Sequence, residues 1–345
     1  MRVIVLNNMA PFTWGGAEEL AHHLVLRLRG SGVEAENLRI PFAWEPADQL
    51  IEQILMCRSF RLTPADRVIC LKFPAYHAQH DNKVFWLLHQ YRQAYDLWDA
   101  GQSNIPSTPR GQEVQRLIQH ADDQAFTTAK CIYTNSATTA DRLKRYNGFE
   151  SEVLMPPLND PELFVGGEDD GYFLAPGRIN STKRQSLLVE AMRHLPPSSR
   201  LIIAGPPDGP ADAEDLRRRV VDAGLEDRVK LDLRFLSRIE LAQYVNKARA
   251  VAYLPFDEDS VGYVTMEAFQ AKKPVLTTTD SGGLLQIVKN RRTGAVVAPD
   301  PEALAEGMSR FFDNETESAA LGKAAHEMWL SLGIDWPSTL SKLLV

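Results

Sequence analysis

Short runs of aliphatic and β-branched residues alternate along this chain with segments whose apolar residues recur at helical spacing. In the first half, the short runs predict strands at 2–7, 33–39, 67–71, 84–88 and 131–135. In the second half, they predict strands at 172–175, 201–204, 229–233, 250–254, 274–278 and 295–298. Because strands that alternate with helices are typical of parallel sheets covered by helices, the pattern predicts an α/β fold.

The predicted helices carry an apolar stripe or a capping residue. Ser237 and Glu240 have the spacing of a capping box, in which each side chain accepts from the backbone amide of the other residue. Ser136 precedes the segment that carries Leu143 and is predicted to cap it. The helix after the first strand is predicted to bury one face, which consists of Ala17, Leu20, Ala21, Leu24, Val25 and Leu28.

A proline-rich connector separates the two series of strands. Pro156, Pro157 and Pro161 favour an extended chain over a helix. A length of 345 residues is also more typical of two domains than of one. We therefore expect a domain at 1–157 and another at 158–330, each a doubly wound, Rossmann-like sheet. Such sheets bind ligands at the carboxyl ends of their strands, so the site is expected in the crevice between the domains.

Composition narrows the class of protein. The net charge is −7, which argues against a nucleic-acid-binding protein because such proteins need a concentrated basic face. Cys57, Cys70 and Cys131 are far apart and offer neither a disulfide framework nor the spacing of metal ligands. The first strand is too short for the core of a signal peptide, and no apolar run approaches the length of a membrane span. We expect a protein of the reducing cytosol.

The first half differs from the second in charge and aromatic content. Residues 1–157 hold 16 Lys and Arg against 17 Asp and Glu, a net −1, whereas residues 158–345 hold 22 against 28, a net −6. The first half also holds Trp14, Trp44, Trp86 and Trp98. These rings suggest contact with a bulky ligand, or peripheral contact with the inner face of a membrane, although scattered aromatic residues usually belong to the core.

The segment that begins at Asp259 and ends at Glu267 carries the most informative chemistry. Its two carboxylates bracket Gly262, which permits a tight turn between a buried strand and an apolar helix. The amides from Ser260 to Val264 would lie at the N-terminus of that helix, where unpaired N–H groups attract phosphate or hydroxyl oxygens. The carboxylates would accept hydrogen bonds from sugar hydroxyls. The alternative is that Asp259 caps the helix and Glu267 is a solvated surface residue.

Three further groups follow predicted strands. Gly15 and Gly16 open the first helix, and their amides either approach a phosphate or sugar closely or belong to a plain loop. His89 follows a buried strand, where a lone histidine is more often structural than functional. Arg178 and Lys183 flank a loop and either converge on one polyanion or are two solvated surface cations. Because the glycines lack the G-x-G-x-x-G spacing, a dehydrogenase is disfavoured.

The order of these features resembles that of the retaining, metal-independent glycosyltransferases of family 4, which have the GT-B fold. The tail at about 331–345 resembles the terminal helix that such proteins send back across their first domain. The resemblance covers essentially the whole chain. It rests on Gly15-Gly16-Ala17-Glu18, His89, Thr134-Asn135-Ser136, Pro156-Pro157, Gly177-Arg178 followed by Lys183, Ile203-Ala204-Gly205, and the segment from Asp259 to Glu267.

The resemblance implies a GT-B fold, in which two Rossmann-like domains face a central cleft, the first binding an acceptor and the second a nucleotide-sugar donor. Arg178 and Lys183 would bind the donor diphosphate, and Glu267 would bind the ribose. Family members usually have glutamate at both ends of the last motif, so Asp259, which is one methylene shorter, is a departure at a sugar-contacting position. Donor contacts are also implied for Gly15, Gly16, His89, Gly177, Ser260, Val261, Gly262, Tyr263 and Val264.

The expected reaction moves a sugar, with retention, from a nucleotide-diphosphate donor to a hydroxyl of a saccharide or lipid-linked acceptor in bacterial surface polysaccharide biosynthesis. No cofactor and no metal are expected, because Arg178 and Lys183 would stabilise the leaving diphosphate much as a metal would. The alternatives are a nucleotide-sugar epimerase and a non-catalytic protein that binds a sugar nucleotide. Aromatic residues within 72–77 and 90–98 either stack on a saccharide acceptor or pack inside the first domain.

Overall fold

The computed structural model describes residues 1–12 and 14–344, and it divides into two compact units. Unit 1 comprises Met1–Pro157 and Ile334–Val345, and unit 2 comprises Leu158–Gly333. The division falls within the proline-rich connector. Unit 2 ends at Gly333 rather than at the predicted 330, because a helix continues to Ser331. The last residue of the predicted terminal helix, Val345, lies outside the described residues.

Unit 1 is built on a six-stranded parallel sheet with the strand order β2-β1-β3-β4-β5-β6. Every neighbouring pair of these strands is parallel, as expected for a chain in which helices connect the strands. The elements are β1 (Arg2–Met9), α1 (Gly16–Gly30), β2 (Glu34–Pro41), α2 (Leu50–Ser59), β3 (Arg67–Lys72), β4 (Lys83–His89), α3 (Asp96–Asp99), α4 (Pro109–Thr127), β5 (Ala129–Thr134), α5 (Ala137–Asn147) and β6 (Glu152–Val153).

Unit 2 repeats this architecture with the strand order β12-β11-β10-β7-β8-β9, again parallel throughout. The elements are β7 (Tyr172–Pro176), α6 (Gln185–Met192), β8 (Arg200–Ala204), α7 (Pro210–Asp222), β9 (Val229–Asp232), α8 (Arg238–Lys247), β10 (Ala250–Ala252), α9 (Tyr263–Gln270), β11 (Val275–Thr278), β12 (Gly294–Val297), α10 (Pro301–Asp313) and α11 (Glu315–Ser331). The doubly wound, two-sheet fold predicted from the sequence is therefore confirmed.

The last helix, α12 (Trp336–Leu343), packs on the sheet of unit 1. The carbonyl of Leu343 accepts from Arg67 at 3.0 Å. The rings of Trp336 and Trp86 meet edge to face, with 6.5 Å between their centroids. Trp86 and Trp336 belong to the same apolar cluster as the predicted stripe of α1, so α1 and α12 cover one face of this sheet.

Strand boundaries differ from the predictions by a few residues, for reasons visible in the structure. β10 ends at Ala252 instead of 254. The carbonyls of Leu254 and Pro255 accept hydrogen bonds from the guanidinium of Arg184, at 2.8 and 3.0 Å, so they do not continue the strand ladder. β6 was not predicted, because its two residues are exposed and carry no apolar pattern.

The aromatic segments that were candidates for stacking on an acceptor belong instead to the core of unit 1. Phe73, Tyr76 and Tyr95 are buried, and Phe73 stacks on Tyr91 with 4.8 Å between ring centroids. The packing alternative is therefore correct for these four rings. Among the tryptophans of unit 1, Trp86 is buried, while Trp14 and Trp44 are exposed. Within residues 1–12 and 14–344, no helix has the length and apolar character to span a bilayer.

Candidate functional site

The loop after β7 is shaped by a glycine pair. Gly177 has a φ of 113°, in the left-handed half of backbone space that L-residues rarely occupy. A Cβ added to Gly205 would lie 2.1 Å from the carbonyl oxygen of Gly177, so the turns after β7 and β8 need glycine for their close approach. A Cβ at Gly177 itself would lie 3.8 Å from Cγ2 of Val264. The β7 turn therefore packs against the N-terminus of α9, as expected at the carboxyl edge of a parallel sheet.

Lys183 is a cation of this edge that is held by two side chains. Its Nζ donates to the hydroxyl of Tyr253 at 3.0 Å and to the carboxylate of Glu258. The ammonium also lies 5.2 Å from the centre of the Tyr253 ring. Burial opposes the charge of Lys183, but Tyr253 and Glu258 outweigh it, so the pKa of Lys183 is raised. The ammonium thus stays charged while held in a fixed, largely desolvated position.

Arg178 is placed differently. Its side chain is 42% exposed and pairs with Asp208 at 3.1 Å. Its backbone is fixed, because the carbonyl accepts from Nε2 of Gln185 at 2.9 Å. Arg178 is therefore a solvent-facing cation whose guanidinium is held by one carboxylate, whereas Lys183 is partly buried and held by two groups.

The loop that follows β10 is bound to the glycine turn after β11. The amides of Asp257 and Glu258 donate to the carbonyls of Asp280 and Ser281, at 2.8 and 3.1 Å, and Gly283 donates back to Glu258 at 2.7 Å. Asp280 also pairs with Arg184, which holds the pKa of that carboxyl below its ordinary value. The backbone hydrogen bonds and the Asp280–Arg184 pair fix this loop, which places the Glu258 carboxylate next to Lys183.

Gly262 allows this loop to turn directly into α9. Its φ is 73°, and an added Cβ would lie 2.7 Å from Cε1 of Tyr253. The helix begins at Tyr263, with Gly262 as its N-cap, and the amides of Thr265 and Met266 bond to the Gly262 carbonyl. Since the N-cap is Gly262, the alternative in which Asp259 caps this helix is wrong.

Both carboxylates of the segment are buried. The exposed fraction is 7% for Asp259 and 2% for Glu267, so Glu267 is not a solvated surface residue. Glu267 forms an ion pair with Arg238 of α8. Arg238 also donates to the carbonyl of Asn159 at 3.0 Å. The only carboxylate in α9 is therefore held in place by an arginine from a neighbouring helix.

The remaining predicted residues lie in unit 1. His89 ends β4 and is partly buried, with its Nδ1 2.6 Å from the carbonyl oxygen of Gln90. Gly15 is the N-cap of α1, and its amide donates to Glu18 at 3.1 Å. Gly16 is the first residue of α1. All three stand at the carboxyl edge of the unit 1 sheet, where β1 and β4 end.

The structure thus brings Gly177, Lys183, Gly262 and Val264 together at the carboxyl edge of the unit 2 sheet. Sequence reasoning missed the residues that anchor the functional candidates, namely Tyr253, Glu258, Arg184 and Arg238. Glu258 directly precedes Asp259, and its charge could have indicated a partner for a cation such as Lys183. The role of Arg238 had no local signal, because its partner is 29 positions away.

In the described part of the chain, no three His, Cys, Asp or Glu side chains converge as a metal site would require.

The profile of one family, glycosyl transferases group 1, matches residues 164–328, which is nearly all of unit 2. The matched region contains the whole cluster around Lys183 and Glu267. Unit 2 is therefore similar to the glycosyl transferases group 1 family.

Curated relatives come from bacteria and animals. The chain is 31% identical over 253 residues to a D-inositol 3-phosphate glycosyltransferase of Corynebacterium glutamicum, covering 66% of this chain and 57% of the relative. It is 32% identical over 167 residues to the protein of that name from Jonesia denitrificans, covering 44% and 38%. It is 27% identical over 248 residues to human alpha-1,3/1,6-mannosyltransferase ALG2, covering 63% and 59%. The chain thus spans about two fifths to three fifths of these relatives.

Solved structures of similar fold cover the whole chain. A sucrose-phosphate synthase from Thermosynechococcus elongatus matches with a TM-score of 0.75 and 18% identity, covering 99% of this chain and 97% of that protein. The Anabaena protein HepE, in complex with UDP-glucose, matches with a TM-score of 0.72 and 16% identity, covering 100% and 98%. At these identities the likeness shows the fold alone, which is the GT-B fold.

Proposed function

We propose that this protein is a retaining glycosyltransferase that moves a sugar from a nucleotide-diphosphate donor to a hydroxyl of a saccharide or lipid-linked acceptor. The match of residues 164–328 to the group 1 family supports sugar transfer. One relative is named for an inositol phosphate and another for mannosyl transfer, so the family alone leaves the acceptor open. The structure of HepE with UDP-glucose supports a nucleotide-sugar donor.

The observation that carries the proposal is the anchored ammonium of Lys183. Its pKa is raised, and its contacts with Tyr253 and Glu258 fix its position. It lies near the N-terminus of α9, because the Tyr253 ring that it contacts also packs against Gly262, the N-cap of that helix. A diphosphate that leaves a sugar gains negative charge, and a fixed cation stabilises that charge without reorganisation. Lys183 would therefore stabilise the leaving group, assisted by the more exposed Arg178.

The proposed step breaks the bond between the anomeric carbon and the β-phosphate oxygen, whose electron pair leaves with the nucleoside diphosphate. The acceptor hydroxyl forms the new bond on the same face of the sugar, and its proton passes to a phosphate oxygen of the leaving group. Asp259 and Glu267 act here as hydrogen-bond acceptors for hydroxyls of the donor, with Glu267 at the ribose. No protein nucleophile takes part, unlike in retaining glycosidases.

Unit 1 is proposed to bind the acceptor, and His89 with the Gly15 and Gly16 amides is proposed to contact the donor sugar. Placement of all three at the carboxyl edge of the sheet supports this role, because Rossmann-like sheets bind ligands there. Likeness to WaaG, a glycosyltransferase involved in lipopolysaccharide biosynthesis, is compatible with a role in bacterial surface polysaccharide synthesis. Exposed Trp14 and Trp44 support peripheral contact with a membrane.

A thermal-shift screen against UDP-, GDP-, ADP- and dTDP-sugars tests the donor assignment, because a ligand that binds the native state raises its melting temperature. We expect one nucleotide series to stabilise the wild type and to have no effect on Lys183→Ala. Equal stabilisation of both proteins would contradict the role of Lys183. Turnover then separates the alternatives: an epimerase converts the donor without acceptor, and a binding protein leaves it intact.

A further inference from the structure

Two neighbouring side chains of unit 1 carry buried hydrogen-bond donors that lack an acceptor anywhere in residues 1–12 and 14–344. These donors are Nε and Nη2 of Arg39 and Nδ2 of Asn7. Asn7 is completely buried, and its Oδ1 already accepts from the amide of Asn8 at 2.9 Å. The pair therefore offers donors and one full positive charge.

Asn7 and Arg39 lie side by side at one end of the sheet. The parallel register of β1 and β2 pairs Asn7 with Arg39, close to the carboxyl ends of both strands. Side chains two positions apart on a strand share a face. Val5 and Ala35 pack against α1, so Asn7 and Arg39 are on the side that α1 covers. α1 begins at this same end, and the positive pole of its dipole is therefore close to the pair.

The acidic residues in the first turn of α1 are engaged with the helix and its entry loop. Glu18 accepts from the amide of Gly15 at 3.1 Å. Glu19 lies 2.7 Å from Nε1 of Trp14 and 3.1 Å from Nε2 of His23. Buried guanidinium nitrogens without a counter-charge or an acceptor are unfavourable, because their lost hydration is not replaced. The missing partner is a group with acceptor atoms and negative charge.

We propose that Arg39 and Asn7 bind a phosphate or carboxylate group of the acceptor substrate. The guanidinium fork matches two oxygens of such a group, and Nδ2 of Asn7 donates to one of them. Arg39 as a whole is only partly buried, which gives the group an approach from solvent. The assignment to the acceptor rests on the proposed function, in which unit 1 holds the acceptor. Binding of an anion by these two residues does not depend on that function.

Inorganic phosphate is the simplest probe of the site. We expect phosphate to raise the melting temperature of the wild type more than potassium chloride of equal ionic strength does. Arg39→Met should lose this response and, since it removes an uncompensated charge, melt a few degrees higher without phosphate. Arg27→Met, which removes an exposed arginine of α1, should behave like the wild type. A normal phosphate response in Arg39→Met, or a lower melting temperature without phosphate, would overturn the proposal.

Asn7→Asp provides a second test that does not remove Arg39. The substitution keeps the shape of the side chain and places a carboxylate next to the guanidinium. We expect this internal ion pair to raise the melting temperature and to abolish the response to phosphate. If Asn7→Asp responds to phosphate as the wild type does, the pair is not the anion site.

Nucleotide binding distinguishes between the acceptor and the donor as the source of the anionic group. The stabilising nucleoside diphosphate from the donor screen should shift the melting temperature of Arg39→Met fully, whereas the phosphate response should survive in Lys183→Ala. If Arg39→Met loses the nucleotide response as well, the anion belongs to the donor and the acceptor assignment is wrong. If Lys183→Ala still responds to the nucleotide, and Arg39→Met loses only its response to phosphate, the donor role of Lys183 is wrong and the anion site is retained.

Discussion

The ammonium of Lys183 lies 3.0 Å from the phenolic oxygen of Tyr253 and 5.2 Å from the centre of its ring. Unit 2 contains a near copy of this geometry. Lys230 lies 3.1 Å from the hydroxyl of Tyr244 and 5.3 Å from that ring. The two pairs differ in their surroundings, because Tyr253 is buried and shares Glu258 with Lys183, whereas the Lys230 contact is exposed.

This duplication supplies a matched control for the catalytic assignment. Lys183→Ala should lower kcat/KM for sugar transfer by about 100-fold or more, since removal of one preorganised charge-stabilising group typically has this effect. Lys230→Ala removes the same contact type on the surface and should retain activity within a few-fold. Steady-state kinetics with the donor from the thermal-shift screen make the comparison. Equal losses in both variants would mean that the lysine–tyrosine contact is structural.

Gly262→Ala tests whether the turn before α9 positions Tyr253. Gly262 and Gly224 have similar left-handed φ angles, 73° and 62°. A Cβ at Gly224 meets nothing within 4 Å, so Gly224→Ala should cost only the backbone strain, about 1–2 kcal/mol of unfolding free energy. A Cβ at Gly262 collides with the Tyr253 ring, so Gly262→Ala should also weaken donor binding. Urea denaturation and donor titration measure the two effects, and unchanged donor affinity in Gly262→Ala would exclude the positioning role.

Arg238 and Glu267 should behave as a coupled pair. Arg238→Met leaves the buried Glu267 carboxylate without its arginine and should lower the unfolding free energy by about 3–5 kcal/mol. In the double variant Arg238→Met/Glu267→Gln the buried charge is gone, so most of this loss should be recovered. Urea unfolding of the wild type, both single variants and the double variant gives the coupling energy. Simple additivity would show that the pair contributes no interaction of its own.

The same variants separate stability from donor binding. Glu267→Gln removes the acceptor charge proposed to contact the donor ribose, so it should raise the KM for the donor. The double variant should keep that high KM although its stability recovers. A KM that recovers together with stability would indicate that Glu267 only supports the fold.

Much of the fold could be predicted because its signals are local. The buried strands of a parallel sheet appear as short apolar runs, and the capping box of Ser237 and Glu240 is present as predicted. The partners of Lys183 could not be predicted in this way, since Tyr253 and Glu258 lie 70 and 75 positions away. Composition could not decide between sugar stacking and core packing for Tyr76 and Tyr95, and both donate hydrogen bonds to the buried Asp122.

That buried network predicts a pH dependence of stability. Burial lowers the pKa of His77, although Asp122 lies 3.1 Å from its Nε2 and opposes the shift. The unfolded state therefore binds a proton near pH 6.5, where native His77 stays neutral. Stability is fully present above this pH and should fall as the pH drops, by up to about 1.4 kcal/mol per pH unit.

Urea unfolding between pH 8 and pH 5 measures this slope. His77→Gln should flatten it, even if the variant is less stable at every pH. His120→Gln, at an exposed histidine of α4, should keep the wild-type slope. A wild-type slope in His77→Gln would assign the pH dependence to other groups.

The proposed reaction is tested by following labelled sugar, in excess chelator, from the stabilising nucleotide sugar to a pool of lipid-linked saccharides. We expect a glycosylated product whose anomeric configuration matches that of the donor, formed by the wild type without added metal and lost in Lys183→Ala. Inverted product, strict dependence on Mg²⁺, or full activity in Lys183→Ala would contradict it.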